Sequence, residues 1–262
     1  DKGDIEAAVT YALMQYNGDG INTDKKEAAK YFKIAADKDN IDGIVNYAMM
    51  LHNGDGIEMN KEEALKLLKV AIDRGNEYAM HNYAMILYSG DGIEVNKKES
   101  AKYYKMATEK GFIDSMSKYA SMLYEGDGIE MNKKEAAKYI KICADNGDPE
   151  ALYKYASMLE TGDVIEMNKD ESIEYYKKSA NKGNVKSMNK YASILYSTNE
   201  EMNKKIAIRY FKTASNGGDL NATIQLALML EYGDGITENK RAAAKYYKIA
   251  ADKDDVFSMN KY

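Results

Sequence analysis

Four copies of the tetrad Gly-Asp-Gly-Ile follow one another at a constant spacing in the first half of the sequence. The copies begin at residues 18, 54, 90 and 126, so each interval is 36 residues. Two stretches with apolar residues at helical spacing accompany every tetrad, one before it and one after it. A fixed period of this length is typical of stacked helical hairpins, in which each hairpin buries its apolar face on its neighbours. The sequence therefore predicts one elongated all-α array.

Seven copies of the unit are visible, and we expect them to start near residues 4, 40, 76, 112, 148, 184 and 219. Half of an eighth copy follows at 255–262, where Tyr262 matches the central tyrosine of the first helix. We thus predict a single repeat domain over 1–262. Neither end has the polar capping helix that such arrays need for solubility. This indicates a fragment of a longer protein, or an end paired with another molecule.

Local signals define the two helices of each copy. The glycine loop ends the first helix, because glycine adopts the left-handed conformation without steric cost. A capping box such as Asn60 and Glu63 then begins the second helix; the asparagine side chain should cap a free N–H while the glutamate reaches back to the asparagine N–H. Three copies depart from the pattern. Val164 replaces a loop glycine in copy five. The capping box is incomplete in copies six and seven, where Ile206 follows Asn203 and Ala242 follows Asn239.

Composition excludes several classes of protein. A net charge of −5 and a pI of about 5.3 disfavour a nucleic-acid-binding protein. No apolar run is long enough for membrane insertion. The only cysteine, Cys143, stands where other copies have Ala or Ser, which predicts a small buried residue. A chain that cannot form an internal disulfide favours a reducing compartment, so we expect a cytoplasmic location.

The repeat resembles the Sel-one-like repeat (SLR), a relative of the tetratricopeptide repeat. In copy three the matching residues are Ala79, Tyr83, Ala84, Leu87, Gly90, Gly92, Ile93, Ser100, Tyr103, Ala107 and Gly111. The chain has Tyr-Ala where the family has Leu-Gly, and Tyr where it usually has Trp. The resemblance implies a right-handed superhelical solenoid of about seven antiparallel helix pairs. It also implies a scaffold or adaptor for protein complexes, with no enzymatic activity and no cofactor.

In such solenoids the first helix of each pair lines the concave groove. We therefore expect a protein or extended peptide to bind residues of this helix that packing does not use. The set is Asn46, Met49, His52, Tyr78, His81, Asn82, Met85, Tyr88, Lys118, Tyr124, Tyr153, Lys154, Lys190 and Tyr196. Met and Tyr provide adaptable apolar contact, Asn can hold a peptide backbone, and the three lysines would meet an acidic segment. The alternative is a solvated groove whose lysines neutralise Asp114 and Glu150.

Other functions have weaker support in the sequence. A lysine row on the second helices, which includes Lys33, Lys105 and Lys141, is better interpreted as a solvated convex face whose stems cover aromatic rings. His52 and His81 lack the neighbours of a metal site, and we expect no metal and no catalytic residue. Two alternatives to peptide binding stay open. One is end-to-end stacking of copies into a homo-oligomer through exposed array ends, and the other is a regulatory domain of a larger protein.

Overall fold

The structure, a computed structural model, describes residues 2–253 and 255–261. These residues form fifteen helices and no strand, which confirms the all-α prediction. The helices are α1 (Lys2–Asn17), α2 (Lys25–Asp37), α3 (Ile41–Asn53), α4 (Lys61–Asp73), α5 (Glu77–Ser89), α6 (Lys97–Glu109), α7 (Ile113–Glu125), α8 (Lys133–Asp145), α9 (Pro149–Thr161), α10 (Lys169–Asn181), α11 (Val185–Ser197), α12 (Glu201–Asn216), α13 (Leu220–Tyr232), α14 (Lys240–Ala251) and α15 (Val256–Lys261). Odd-numbered helices are the first helices of the copies. Tyr262 and its predicted match to an eighth copy lie outside the described residues.

Glycine at the loops has the predicted role. Gly54 and Gly90 follow α3 and α5 with φ values of 72° and 74°, and the N–H of each donates to a helix carbonyl four residues earlier. At Gly90 a Cβ would lie 2.4 Å from the Cγ2 atom of Val95, so side-chain bulk is excluded as well. The loop of copy five keeps this geometry at Gly162 despite Val164. The loops therefore act as helix stops that turn the chain tightly into the next helix.

The capping boxes form, but the backbone N–H of the asparagine donates to a different acceptor from the one predicted. The Asn60 side chain accepts from the Glu63 N–H at 3.0 Å, as predicted. The Asn60 N–H donates to the carbonyl of Leu51 in the preceding helix at 2.8 Å, so it is not available to the glutamate. In later copies the glutamate accepts from the asparagine side-chain amide instead, as Glu135 does from Asn132 at 2.9 Å. The expected reach of glutamate to the backbone N–H is thus wrong, because that N–H ties the two helices of the hairpin together.

Copy six has a different second helix. Helix α12 begins at Glu201, earlier than the capping residue Asn203, and Glu200 is its N-cap residue. The Asn203 amide donates to the Thr198 hydroxyl at 3.0 Å and to the Glu200 carboxylate at 3.2 Å. The prediction that this helix starts at an incomplete box around Asn203 is therefore wrong. An extra helical turn takes the place of the glycine loop.

The chain divides into two compact units, the first ending at Ala136 and the second beginning at Ala137. In each unit a helix packs on its hairpin partner and on the first helix of the next copy, as α5 does on α6 and α6 on α7. Small buried residues let the helices approach closely. At Gly43 a Cβ would lie 2.6 Å from the Cβ of Ala35. The core of each unit is thus distributed along the stack of hairpins. A single array over 1–262 stays a prediction.

Candidate binding surface

The aspartate of the glycine loop joins neighbouring copies in the first unit. The Tyr88 hydroxyl at the end of α5 donates to Asp127 Oδ2 at 2.6 Å, in the loop of the next copy. Lys97 Nζ donates to Asp127 Oδ1 at 2.8 Å and lies 5.0 Å from the centre of the Tyr88 ring. These hydrogen bonds hold the Asp127 pKa below its ordinary value, the larger part coming from Lys97. We call this Tyr-Asp-Lys arrangement the loop staple.

The loop staple recurs in other copies. Asp55 accepts from Tyr16 at 2.9 Å and from Lys25 at 2.6 Å, and in the second unit Tyr196 and Lys204 donate to Asp234. In copy two a histidine replaces the tyrosine. His52 is only 5% exposed and lies 3.2 Å from the Asp91 carbonyl oxygen, where Lys61 also pairs with the Asp91 carboxylate. The sequence predicted the loops only as turns, although a Lys stands 30 residues before the loop Asp in five copies.

A second arrangement replaces the loop staple in copy five. Glu160 stands at the position of Tyr88, and its Oε2 accepts from the Tyr176 hydroxyl at 2.9 Å. Its Oε1 is 2.8 Å from Lys190 Nζ. Copy seven repeats this with Glu231, which accepts from the Tyr247 hydroxyl at 2.7 Å and from Lys261 Nζ at 2.9 Å. The charge of Lys190, which was predicted to meet an acidic partner, is therefore balanced within the chain.

Large apolar side chains are exposed on α5. Tyr78, Met85 and Tyr88 have exposed fractions of 56%, 42% and 39%, and Met85 follows Tyr78 by two helical turns and precedes Tyr88 by one. Tyr78 stacks edge-on against Phe112, with ring centres 4.7 Å apart, which holds the tyrosine in place. Exposed aromatic and Met side chains in one surface patch are typical of binding sites.

A cleft of about 230 Å³ lies beside this patch, between α5 and α7. It brings together three of the predicted residues, Met85, Tyr88 and Lys118. The other lining residues are Ser89, Tyr104, Ser121, Met122, Glu125 and Asp127. We call this the α5–α7 cleft. Tyr104, which reaches the cleft from α6, was absent from the predicted site because its copies in the sequence lie on the packed second helix.

The remaining predicted residues have mixed environments. The Asn46 amide donates to the Asp42 carbonyl at 2.8 Å within α3, and Met49 packs partly on the core. His81 is half-buried, 2.9 Å from the Ser115 hydroxyl, and desolvation lowers its pKa. Lysine side chains lie over the Tyr124 and Tyr153 rings, at 5.2 and 5.8 Å from the ring centres. Asn82 and Lys154 are half-buried. Binding by these residues stays a prediction.

The lysine row on the second helices has the predicted environment. Lys33 and Lys141 pair with aspartates one turn later, at 3.0 and 2.9 Å, and Lys141 also lies over the Tyr155 ring. Cys143 is fully buried, as expected of a small core residue. No group of three His, Cys, Asp or Glu side chains in the described part of the chain is placed to bind a metal ion. Likewise, none of the helices described is long and apolar enough to cross a membrane.

Stacked hairpins closed by glycine loops and joined by loop staples define an α-helical repeat protein. The chain belongs to the Sel1 repeat family, which confirms the resemblance inferred from the sequence. The family profile matches seven successive segments, which together cover nearly the whole chain: residues 5–40, 41–76, 77–112, 113–148, 149–184, 185–219 and 220–255. Sel1 repeats form a non-catalytic scaffold fold and generally mediate protein–protein interactions.

Two solved structures share the fold. One is a protective antigen of uropathogenic Escherichia coli strains that displays an SLR fold, with a TM-score of 0.85 and 23% identity. The alignment covers 98% of this chain and 56% of that one, so the chain spans little more than half of that protein. The other is a Sel1 repeat protein from Oxalobacter formigenes, with a TM-score of 0.73, 20% identity and coverage of 98% and 74%. No curated protein matches the chain.

Proposed function

We propose that the chain is a non-enzymatic scaffold whose first helices bind a protein or an extended peptide. The observation that carries this proposal is the exposed row of Tyr78, Met85 and Tyr88 beside the α5–α7 cleft. A peptide laid on α5 would cover these side chains and place one residue in the cleft. Tyr is a strong contributor to binding because it buries a large area with few rotatable bonds. Lys118 at the cleft gives the surface a preference for acidic segments.

Selection of peptides from a random displayed library against the 262-residue chain would test this proposal. Binders should lose at least about tenfold in affinity when Tyr78 and Met85 are both replaced by alanine, because loss of two central apolar contacts costs more than about 1.4 kcal/mol. Affinity would be measured by fluorescence anisotropy with labelled synthetic peptides. Both side chains are exposed, so the double variant should keep its fold, which circular dichroism would verify.

A matched control is available in the glycine loops. Met131 and Met167 are as exposed as Tyr78 but lie in the loops that precede α8 and α10, and the double variant Met131→Ala, Met167→Ala should bind the same peptides within about twofold. The proposal is wrong if the selected peptides bind the Tyr78 and Met85 variant as tightly as the wild type. Failure to select any binder would also contradict it.

Self-association is a second candidate, supported by exposed apolar side chains on α15. Val256, Phe257 and Met259 are all exposed, and α1 likewise exposes Tyr11 and Leu13. End-to-end stacking of two copies would cover such residues. Light scattering at increasing concentration distinguishes the two functions, because stacking predicts a mass that rises with concentration. Replacement of Phe257 by serine should then restore a constant mass, and a constant mass in the wild type would contradict stacking.

A further inference from the structure

Two pairs of donors in the second unit bind a carboxylate of the chain itself. Tyr176 and Lys190 bind Glu160, one oxygen each, at 2.9 and 2.8 Å. Tyr247 and Lys261 likewise bind Glu231, where Lys261 Nζ lies within hydrogen-bond distance of both oxygens, at 2.9 and 3.1 Å. In both cases the tyrosine follows the glutamate by 16 residues and the lysine follows it by 30. The repeat frame thus brings a hydroxyl from one second helix and an ammonium group from the next first helix to one carboxylate.

The first unit contains the same pair of donors without the carboxylate. Tyr104 and Lys118 follow Tyr88 by 16 and 30 residues, but the Tyr88 hydroxyl is directed to Asp127. Within the described residues no hydrogen bond is formed by the Tyr104 hydroxyl and no ion pair by Lys118. The other four complete copies lack the tyrosine, since Phe32, Leu68, Ile140 and Phe211 occupy the position of Tyr104.

The unsatisfied donors face an open space. Both residues line the α5–α7 cleft, and Tyr104 is only 2% exposed. The Tyr104 hydroxyl is not among the fully buried side-chain atoms that lack a partner, so it reaches the cleft and can donate to a group bound there. Burial raises the pKa of Tyr104 to about 12, so the hydroxyl keeps its proton near neutral pH and can donate it. Met85 and Met122 form apolar walls that strengthen electrostatic interactions in the cleft.

We propose that the α5–α7 cleft binds a carboxylate of a partner, which accepts hydrogen bonds from the Tyr104 hydroxyl and Lys118 Nζ as Glu160 and Glu231 do within the chain. This inference rests on the proposed function, because it names the chemical group that the peptide places in the cleft. The carboxylate can come from an acidic side chain or from a peptide C-terminus. Asp127 at the edge is neutralised by Lys97 and does not repel the group. Glu125, which is exposed, opposes it.

The proposal can be tested by NMR titration of the full chain with labelled methionine methyl groups. Three probes distinguish the sources: N-acetyl-glutamate N-methylamide carries a side-chain carboxylate, N-acetyl-alanine carries a terminal one, and N-acetyl-glutamine N-methylamide is neutral. We expect saturable shifts of the Met85 and Met122 methyl signals with at least one carboxylate probe and none with the neutral probe. The tighter of the two carboxylate probes identifies the source.

Substitutions test whether the Tyr104 hydroxyl and Lys118 Nζ bind the carboxylate probe. Tyr104→Phe and Lys118→Gln should each weaken binding of the carboxylate probe about tenfold, because each removes one charge-assisted hydrogen bond. The matched variant Tyr176→Phe removes a hydroxyl that is already occupied and should leave probe binding unchanged. Tyr88→Glu should abolish binding, because it supplies an internal carboxylate to both donors. Glu125→Gln should strengthen binding.

Several results would overturn the inference. These are equal shifts with the neutral probe, unchanged affinity in both Tyr104→Phe and Lys118→Gln, or full binding by Tyr88→Glu. Carboxylate binding in the cleft and peptide binding on α5 can be contradicted independently of each other. If selected peptides depend on Tyr78 and Met85 while the carboxylate probes leave the cleft signals unmoved, only the inference is wrong. If the probes bind the cleft but no peptide depends on those two residues, only the peptide-binding function is wrong.

Discussion

The third and fifth copies contain the same pair of donors in different environments. Both place a tyrosine hydroxyl and a lysine beside the last turn of a first helix, Tyr104 and Lys118 in one unit and Tyr176 and Lys190 in the other. In the fifth copy Glu160 accepts from both donors. In the third copy Tyr88 occupies that position, and the donors line a cleft instead. A single residue therefore decides whether the two donors have an acceptor within the chain or line a cleft without one.

The loops explain why the fifth copy needs glutamate. A tyrosine at the end of the first helix donates to the aspartate of the next loop, as Tyr88 does to Asp127. The loop of copy six has no aspartate, since Ser197, Thr198 and Asn199 replace the glycine motif. A tyrosine at position 160 would thus lack its acceptor. Glutamate at this position accepts hydrogen bonds instead of donating one, and its donors are Tyr176 on α10 and Lys190 on α11. Whether tyrosine or glutamate makes the contact between two copies therefore depends on whether the next loop contains an aspartate.

The largest difference between the two copies should appear when the tyrosine hydroxyls are removed. Tyr176→Phe deletes a hydrogen bond to a carboxylate, so we expect a loss of about 1.5–3 kcal/mol in the free energy of unfolding. Tyr104→Phe deletes a hydroxyl that has no acceptor, so we expect a change within about 0.5 kcal/mol. Urea denaturation followed by circular dichroism measures both. Equal losses in the two variants would show that Tyr104 already has an internal partner.

A smaller difference is expected for the lysines. Lys190→Gln breaks an ion pair with Glu160 that is partly exposed, and it should cost less than about 1 kcal/mol. Lys118→Gln breaks no ion pair seen in the described residues and should be close to neutral. The urea midpoints of the two variants test this order at low salt, where surface pairs contribute most. A larger loss for Lys118→Gln would contradict the assignment of Lys118 as an available donor.

Much of the fold could be predicted because it depends on short segments. The 36-residue period, the glycine stops and the capping asparagines are local signals, and the structure agrees with them at Gly54 and Asn60. The start of α12 was missed because Thr198 and Glu200 offered a different beginning to the helix. Ile206 in place of the capping-box glutamate was a local signal against Asn203, but it was not decisive, because Asn239 caps α14 although Ala242 takes the place of the glutamate there.

The site could be predicted only in part, because its contacts join residues that are 16 to 39 positions apart. Periodicity identifies the exposed face of α5, and hence Tyr78, Met85 and Tyr88. It does not give the angle between copies, which decides that Glu160 reaches Lys190 and that Tyr88 reaches Asp127. A signal was nevertheless present. Glutamate occurs at the position of Tyr88 only in copies five and seven, where Tyr and Lys follow it by 16 and 30 residues.

The smallest expected effect is a pH dependence of the free energy of unfolding, and it again differs between the two copies. His81 of copy three corresponds to Tyr153 of copy five, and both histidines of the chain lie in the first unit. The His81 ring lies against Phe112 and Tyr104, with ring centres 5.2 and 5.6 Å away, and this burial lowers its pKa from the ordinary 6.5. Asp114 opposes the shift and Lys118 adds to it. Folded His81 is therefore neutral at pH 7.

The lowered pKa fixes the sign of the pH dependence. As pH falls below about 6.5, His81 in the unfolded chain takes up a proton before the folded chain does, so the free energy of unfolding decreases. We expect the urea midpoint to fall between pH 7.5 and 5.5, and His81→Gln to reduce that fall. His52→Gln provides the control for the other histidine. If His81→Gln keeps the full decrease, the ring is not desolvated in solution, and its packing against Phe112 and Tyr104 is more open to water than the structure indicates.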